Sequence, residues 1–313
     1  MELLRLRREI DFFGQRRIAT ILSVVLVLVS LGSLATRQLN LGIDFTGGVL
    51  LEVGYQADAD LGAIRSDLAA AGYADAQVQN FGAARDVLIR IPPRENVDDD
   101  EKGVGEELLG VLRAGGEQVD LRRVEFVGPQ VGQELTERGG LAVLFALLMI
   151  LLYVMFRFQW KFAVGSVAAL AHDVIIILGI FSVFQLPFDL TILAAALAVI
   201  GYSLNDTIVV FDRIRENFRR IRTSDAQAVM NTSVNQMLGR TVITSLTTLL
   251  VLIALFLFGG EALKGFSSAL IIGVVVGTYS SIYVAGNTAL ALKVSTVDLL
   301  PPKKETANDG AVT

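Results

Sequence analysis

Residues 190–217 read LTILAAALAVIGYSLNDTIVVFDRIREN. From 190 to 211 the run is apolar and long enough to cross a bilayer as a helix, which needs about 20 residues. It carries a carboxylate, Asp206, within Gly201-Tyr202-Ser203-Leu204-Asn205-Asp206-Thr207, and it ends in the charged turn Asp212-Arg213-Ile214-Arg215-Glu216. A soluble helix with this pattern would have a polar face to turn to water, and this one has none. The stretch therefore reads as a membrane span with an acid inside it. The spacing puts Asp206 about 10 Å in from the basic end, at 1.5 Å per residue. Ionisable groups are costly at that depth and mark functional sites by default.

Five more stretches have the same character: 18–36, 139–156, 162–188, 241–260 and 265–292, each bounded by charge. The mean hydropathy of the 313 residues is +0.57 and 53% are hydrophobic, in keeping with a multi-span membrane protein. Lys and Arg gather on one side of the six spans. Arg5, Arg7, Arg8, Arg16 and Arg17, then Arg157 and Lys161, then Arg213 to Arg222, then Lys293, Lys303 and Lys304 all fall there. The turns 185–189 and 261–264 on the other side hold one basic residue between them. Positive charge in short loops marks the cytoplasmic side, so both termini are expected there. Leu3, Leu6, Ile10 and Phe13 recur at helical spacing among arginines, which predicts a surface-lying helix within 1–17. Ser33-Leu34-Ala35 resembles a signal-peptide cleavage site, but the apolar run before it exceeds the usual core of roughly 7–15 residues. The reading is therefore a retained span at 18–36.

Residues 37–138 form the one long extramembrane segment, sized as a small domain. Strand-like runs at 50–55, 76–81, 87–91 and 121–127 alternate with helical patterns at 58–71 and 99–114. The order βαββαβ is the split βαβ or ferredoxin-like pattern. The chain is thus expected to be an α+β membrane protein: a six-helix bundle, with 139–292 forming the five-helix remainder, and a ferredoxin-like extracytoplasmic domain. A short cytoplasmic tail, 293–313, follows. Asp98-Asp99-Asp100-Glu101 lacks the spacing and glycine of a calcium loop and reads as a charged helix start.

Composition excludes several chemistries. There is no cysteine and a single histidine, His172, so thiolate metal sites, a cysteine nucleophile and multi-His metal centres are ruled out. No Gly-x-x-x-x-Gly-Lys-Ser/Thr loop is present, and no cofactor is expected. The net charge of −5 does not suggest nucleic acid. It divides unevenly: residues 37–138 hold 19 acidic and 10 basic residues, leaving the remainder net positive. No catalytic constellation stands out, so the chain is not read as an enzyme.

The polar residues within the spans are the candidates for function. Arg240 opens the span at 241–260, on the side nearer Asp206, and is the natural counter-ion for it. A snorkelling interfacial arginine is the other reading. His172-Asp173 lies mid-span and could relay protons. Neighbours on a helix point about 100° apart, so the two are not expected to form one simple pair. Asn205, Thr244, Thr247 and Thr248 could line a polar path or glue helices together. Gly273 and Gly277 fit small-xxx-small packing. Ser224-x-x-Gln227 resembles a capping box, starting a separate interfacial helix before Arg240.

Taken together, these motifs resemble the SecF members of the SecD/SecF protein-export family. Leu41-Gly42-Ile43-Asp44-Phe45-Thr46-Gly47-Gly48 is similar to the motif that follows the first membrane helix there. Ala171-His172-Asp173 resembles the third-helix motif, and the run from Gly201 to Asn217 the fourth-helix signature. Arg240-Thr241 with Thr244-Ser245 and Thr247-Thr248 resembles the fifth helix, and Ile282-Tyr283-Val284-Ala285 the sixth. Met237 stands where the family commonly has threonine. The resemblance implies an RND-like subunit of the bacterial inner membrane that pairs with SecD. It would assist the SecYEG channel in moving a precursor protein, with YajC and YidC as further partners. It implies proton coupling through the acid at Asp206 and the arginine at Arg240, with a second acid supplied by SecD. Two other readings share the intramembrane acids: half of an RND-type exporter of small molecules or lipids, and a passive channel scaffold.

Overall fold

The computed structural model describes residues 10–93, 101–114, 118–221 and 225–294. Among the described residues, six helices are long and apolar enough to cross a membrane: α1 (Arg16–Thr36), α5 (Pro129–Arg157), α6 (Trp160–Val183), α7 (Leu190–Arg220), α8 (Ala226–Phe258) and α9 (Glu261–Ala291). A helix satisfies its backbone groups within its own segment, as membrane depth requires. The chain is a multi-pass α+β membrane protein.

Burial orders the bundle. α6, α7 and α9 form its centre, and α1, α5 and α8 flank it with exposed apolar residues such as Leu28, Leu144, Phe156, Leu250 and Val251. That is the expected distribution where the surrounding medium is as apolar as leucine, and tight packing selects small residues at the contacts. A methyl group on Gly273 would meet the Val199 side chain at 2.1 Å, and one on Gly277 would meet Ser203 at 3.0 Å. Glycine at these positions is what lets α9 close on α7, as the small-xxx-small spacing predicts.

From Gly48 to Val127 the described residues build a sheet and two helices. Strands β2 (Gly48–Tyr55), β3 (Gln77–Phe81), β4 (Ala83–Ile91) and β5 (Val119–Val127) form one antiparallel sheet in the order β3-β4-β2-β5. Helices α3 (Leu61–Ala70) and α4 (Glu101–Ala114) contribute to the same core. Leu51 and Val53 of β2, Val87 and Ile89 of β4, Leu68 of α3 and Leu108 of α4 are fully buried, each stabilising the fold by roughly 1.5–3 kcal/mol. Asp60 caps α3 by accepting from the amides of Gly62 and Ala63.

Several boundaries differ from the sequence reading. α5 starts at Pro129, well before 139, because Gly128-Pro129 supplies an N-cap and a proline at the first helical position. α6 stops at Val183 instead of running to 188. Gln185 takes positive φ, and Pro187–Phe188 becomes a short strand, β6. That strand pairs in parallel with β1 (Asn40–Leu41), just after α1. The separate interfacial helix expected before Arg240 does not exist: α8 runs unbroken through it, capped by Asp225 rather than by a box begun at Ser224, which lies outside the described residues. Of the expected surface helix, residues 1–9 lie outside the described residues. Ile10–Gln15 is irregular, and Phe12 and Phe13 are buried against α8 and α9 instead of lying on a membrane surface. Asp98 to Asp100 also fall outside the described residues.

Candidate functional site

Asp206 sits on the buried side of α7 and is 8% exposed. Thr241 of α8 donates to its Oδ1 at 3.0 Å, and Ser281 of α9 donates to its Oδ2 at 3.2 Å. Three helices thus meet on one carboxylate. Arg240 makes no direct ion pair with it among the described residues. Its side chain is exposed, and it acts on Asp206 only through space. The expected counter-ion contact is therefore replaced by the hydroxyl of the next residue, Thr241. The helical step explains this: when position 241 faces α7, position 240 is turned about 100° away.

A second buried carboxylate lies beside the first. Asp173 of α6 is 1% exposed. Ser203 of α7 donates to its Oδ2 at 2.6 Å, and Ser280 of α9 donates to the same oxygen at 2.8 Å. His172 Nδ1 lies 3.0 Å from Oδ1, so the neighbours do form a pair, against the expectation from their 100° separation. Long side chains can close that angle even though the backbone vectors diverge. The two acid sites share their supports: Ser203 lies one turn before Asp206 on α7, and Ser280 and Ser281 are adjacent on α9.

The remaining candidates are not brought to Asp206. Asn205 is exposed, facing away from the carboxylate it precedes. Thr244 donates to the carbonyls of Arg240 and Thr241, Thr247 to those of Ile243 and Thr244, and Thr248 to that of Thr244. These hydroxyls return to their own helix, and the faces bearing Thr244 and Thr247 are exposed. The sequence reading missed Ser280 and Ser281. A Ser-Ser pair inside an otherwise apolar span was the available signal.

A third cluster ties the sheet domain to the bundle. Gly47 and Gly48 both have positive φ, +73° and +115°, and a methyl group on Gly48 would lie 2.2 Å from the Ile91 carbonyl oxygen. Only glycine fits there. Before them, the short helix α2 (Ile43–Thr46) places Asp44 at the start of α7, where its Oδ2 accepts from the Leu190 amide at 3.0 Å. Asp189 caps the same helix through the Ile192 amide. From β4, Arg90 donates to the Asn40 side chain at 3.1 Å and to the Leu41 carbonyl at 3.0 Å. Burial pulls the Arg90 guanidinium below its ordinary value, and the carboxylates of Asp189 and Asp44 work against that. Sheet, glycine turn and helix α7 thus meet at one junction.

Comparison with known proteins agrees with these motifs. Residues 109–295 match the family described as "Protein export membrane protein SecD/SecF, C-terminal", and residues 32–59 match the "SecD/SecF GG Motif". Protein translocase subunit SecF of Vibrio alginolyticus is 52% identical over 305 residues, covering 97% of this chain and 96% of the relative. The corresponding subunit of Pseudomonas aeruginosa is 51% identical over 303 residues, covering 96% and 97%. The crystal structure of SecDF, a translocon-associated membrane protein from Thermus thermophilus, superposes with a TM-score of 0.84 at 38% identity, over 93% of this chain and 40% of that longer one. A SecDF structure in a super-membrane-facing form gives 0.69 at 37% identity, with the same coverage. The glycine turn, the buried acids and the full-length similarity together place this chain in the SecD/SecF family of protein-export membrane proteins.

Proposed function

We propose that the chain works with SecD in Sec-dependent protein translocation, and that Asp206 is the group that takes up and releases the proton driving it. The observation that carries this is the Asp206 carboxylate itself: buried at the meeting of α7, α8 and α9, and held by two hydroxyls with no direct cation among the described residues. Neutralising such a carboxylate removes a charge whose burial costs several kcal/mol and weakens both hydroxyl bonds at once. Three helices then have reason to repack. Arg240 reads the charge of Asp206 from the exposed side of α8, where an acid from SecD would complete the site. Thr244, Thr247 and Thr248 share that side and fit a lining for the same contact.

In this reading the basic edge and both termini are cytoplasmic, the membrane is the bacterial inner membrane, and residues 37–138 are the extracytoplasmic part. Residues 1–17 and 293–313 flank the bundle on the cytoplasmic side, with spans at 18–36 and within 139–292. The strand order β3-β4-β2-β5 with two helices supports the ferredoxin-like assignment of the outer domain. Repacking of α7 would reach that domain through Asp44, Asp189 and Arg90, and the domain would then hold or pull a precursor emerging from SecYEG, with YajC and YidC nearby. A membrane potential supplies about 2.3 kcal/mol per charge per 100 mV, enough for a shift of more than tenfold.

The test uses vesicles carrying the complete complex and an arrested precursor. Asp206→Asn and Arg240→Met should each abolish the acceleration of precursor completion by a proton gradient while leaving assembly with SecD intact. Normal proton-dependent completion in both variants would sink the proposal.

A further inference from the structure

His172 has a second face that the acid cluster does not use. Its Nδ1 is engaged with Asp173, and its Nε2 is buried with no partner. The ring is 5% exposed and lines a groove of about 290 Å³ between α1, α6 and α9 that is open along α1. Thr20, Ser23 and Leu28 lie on the α1 side of this slot, with Thr20 and Leu28 exposed at its rim, and Tyr283, Val284 and Asn287 lie on the α9 wall; most of the lining is apolar, and the polar atoms are few and specific. Residues 20, 23 and 28 run along one face of α1, so the slot is about 12 Å long from Thr20 to Leu28. Its shallow end is the basic end of the bundle, beside Arg16, whose carbonyl lies 3.4 Å from the Asn287 amide. Asn287 Oδ1, in the same slot, is also buried without a partner.

Three of the hydroxyls around it are already engaged. Ser23 pairs with Tyr279, whose own hydroxyl bonds to the Ala19 carbonyl, and Thr20 pairs with the Asn287 amide. With Nδ1–H turned to the Asp173 carboxylate, a neutral ring presents a lone pair at Nε2. The slot thus offers two unfilled acceptors, His172 Nε2 and Asn287 Oδ1. Leaving both bare would cost about 1–3 kcal/mol apiece. An alkyl chain fills the volume and satisfies neither, whereas a file of water satisfies both.

We infer that the α1–α6–α9 slot is a hydrated inlet from the basic side, through which the His172–Asp173 pair exchanges protons with solvent. A proton from slot water binds Nε2 while Nδ1 passes its own proton to Asp173 Oδ1. The ring stays neutral and Asp173 becomes a carboxylic acid. The reverse transfer unloads Asp173 into the slot. The groups facing the pair are Ser203 and Ser280 on Asp173 and the Tyr279 ring stacked 6.2 Å from the imidazole. No further charged group is in contact with the pair among the described residues. This rests on the reading of Asp206 as the proton carrier, since the adjacent Ser280 and Ser281 bring the two acids onto one stretch of α9.

The chain has no cysteine and one histidine, so both parts can be read without background from this chain. Thr20→Cys, Ser23→Cys and Val27→Cys are placed in the complete complex in vesicles of each orientation and treated with a charged, membrane-impermeant maleimide. The thiolate reacts only where water reaches it. All three should label from the basic side about tenfold faster than Val25→Cys, which faces the surrounding medium, and should not label from the other side. In parallel, nitrogen-15 histidine NMR of the complex, labelled in this chain alone, should show the Nε2 resonance following basic-side pH. Asn287→Leu should slow labelling at Ser23→Cys. Labelling confined to Thr20→Cys, labelling only by a bilayer-soluble maleimide, or a His172 resonance indifferent to pH would each overturn the inlet. Retained proton-driven export in Asp206→Asn would instead overturn the carrier reading and leave the labelling pattern as it stands.

Discussion

Thr241 carries more of the site than any single threonine after it. Its hydroxyl is buried on Asp206 Oδ1, whereas those of Thr244, Thr247 and Thr248 bond back along α8. Thr241→Val keeps the shape and removes one donor, so a buried carboxylate oxygen loses its partner at a cost of about 1–3 kcal/mol. Thermal unfolding of the reconstituted chain should register that loss, while Thr247→Val should stay within about 0.5 kcal/mol of the parent. Equal effects of the two would mean that the hydroxyl of Thr241 is not engaged as described. At this scale the sequence revealed the acids and not their partners. Asp206, Asp173 and His172 stand out because ionisable groups are rare in apolar spans. Ser281 and Thr241 do not, because which hydroxyl meets which carboxylate depends on the rotation of helices separated by dozens of residues.

Helix ends were harder to read than helix existence. Six apolar stretches were plain from composition, yet α5 begins ten residues earlier than its apolar run, and α8 absorbs what looked like a separate helix. Both extensions are polar, so hydropathy ends where the helix does not. The cap of α8 is Asp225, accepting from the amides of Gln227 and Ala228. Asp225→Ala should destabilise by about 0.5–2 kcal/mol, and Asp225→Ser by much less. Faster hydrogen exchange confined to the first turn of α8 would report it, and unchanged exchange in both variants would remove Asp225 from that role. The two-residue strands β1 and β6 gave no periodic signal at all. They exist because Gly42 donates to the Phe188 carbonyl across the turn between α6 and α7, a contact set by tertiary structure.

Across the whole molecule the charge is uneven: residues 37–138 are acidic and the remainder is net positive. The junction between them rests on Arg90. Arg90→Ala would release the Asn40 side chain and the Leu41 carbonyl and leave Asp44 and Asp189 without the nearby cation. Amide exchange should then rise in residues 40–48 and 187–192, with residues 240–258 unchanged and the sheet still folded. Arg90→Lys should recover part of the protection, as a point charge without the planar fork. No change in either segment would show that the sheet domain is held by packing alone. The succession of strands and helices along the chain was legible from its hydrophobic pattern, and the order of the strands within the sheet came from the structure. The linkage was not legible, because an arginine in a strand carries no mark of what it reaches.

The unbroken course of α8 has a mechanical corollary. Thr241 is the sixteenth of its 33 residues, so the contact with Asp206 falls at the middle of a rod about 50 Å long. The half before it is held further, since Asn217 and Arg213 of α7 donate to Ser233 and Gln236, and Ser245 just beyond it pairs with Thr278 of α9. The stretch from Ser245 to Phe258 is about 20 Å long and has no such tie among the described residues, so a tilt of about 5° there carries its far tip about 2 Å. Any motion begun at the Asp206 contact is thereby magnified at one end of α8 and damped at the other.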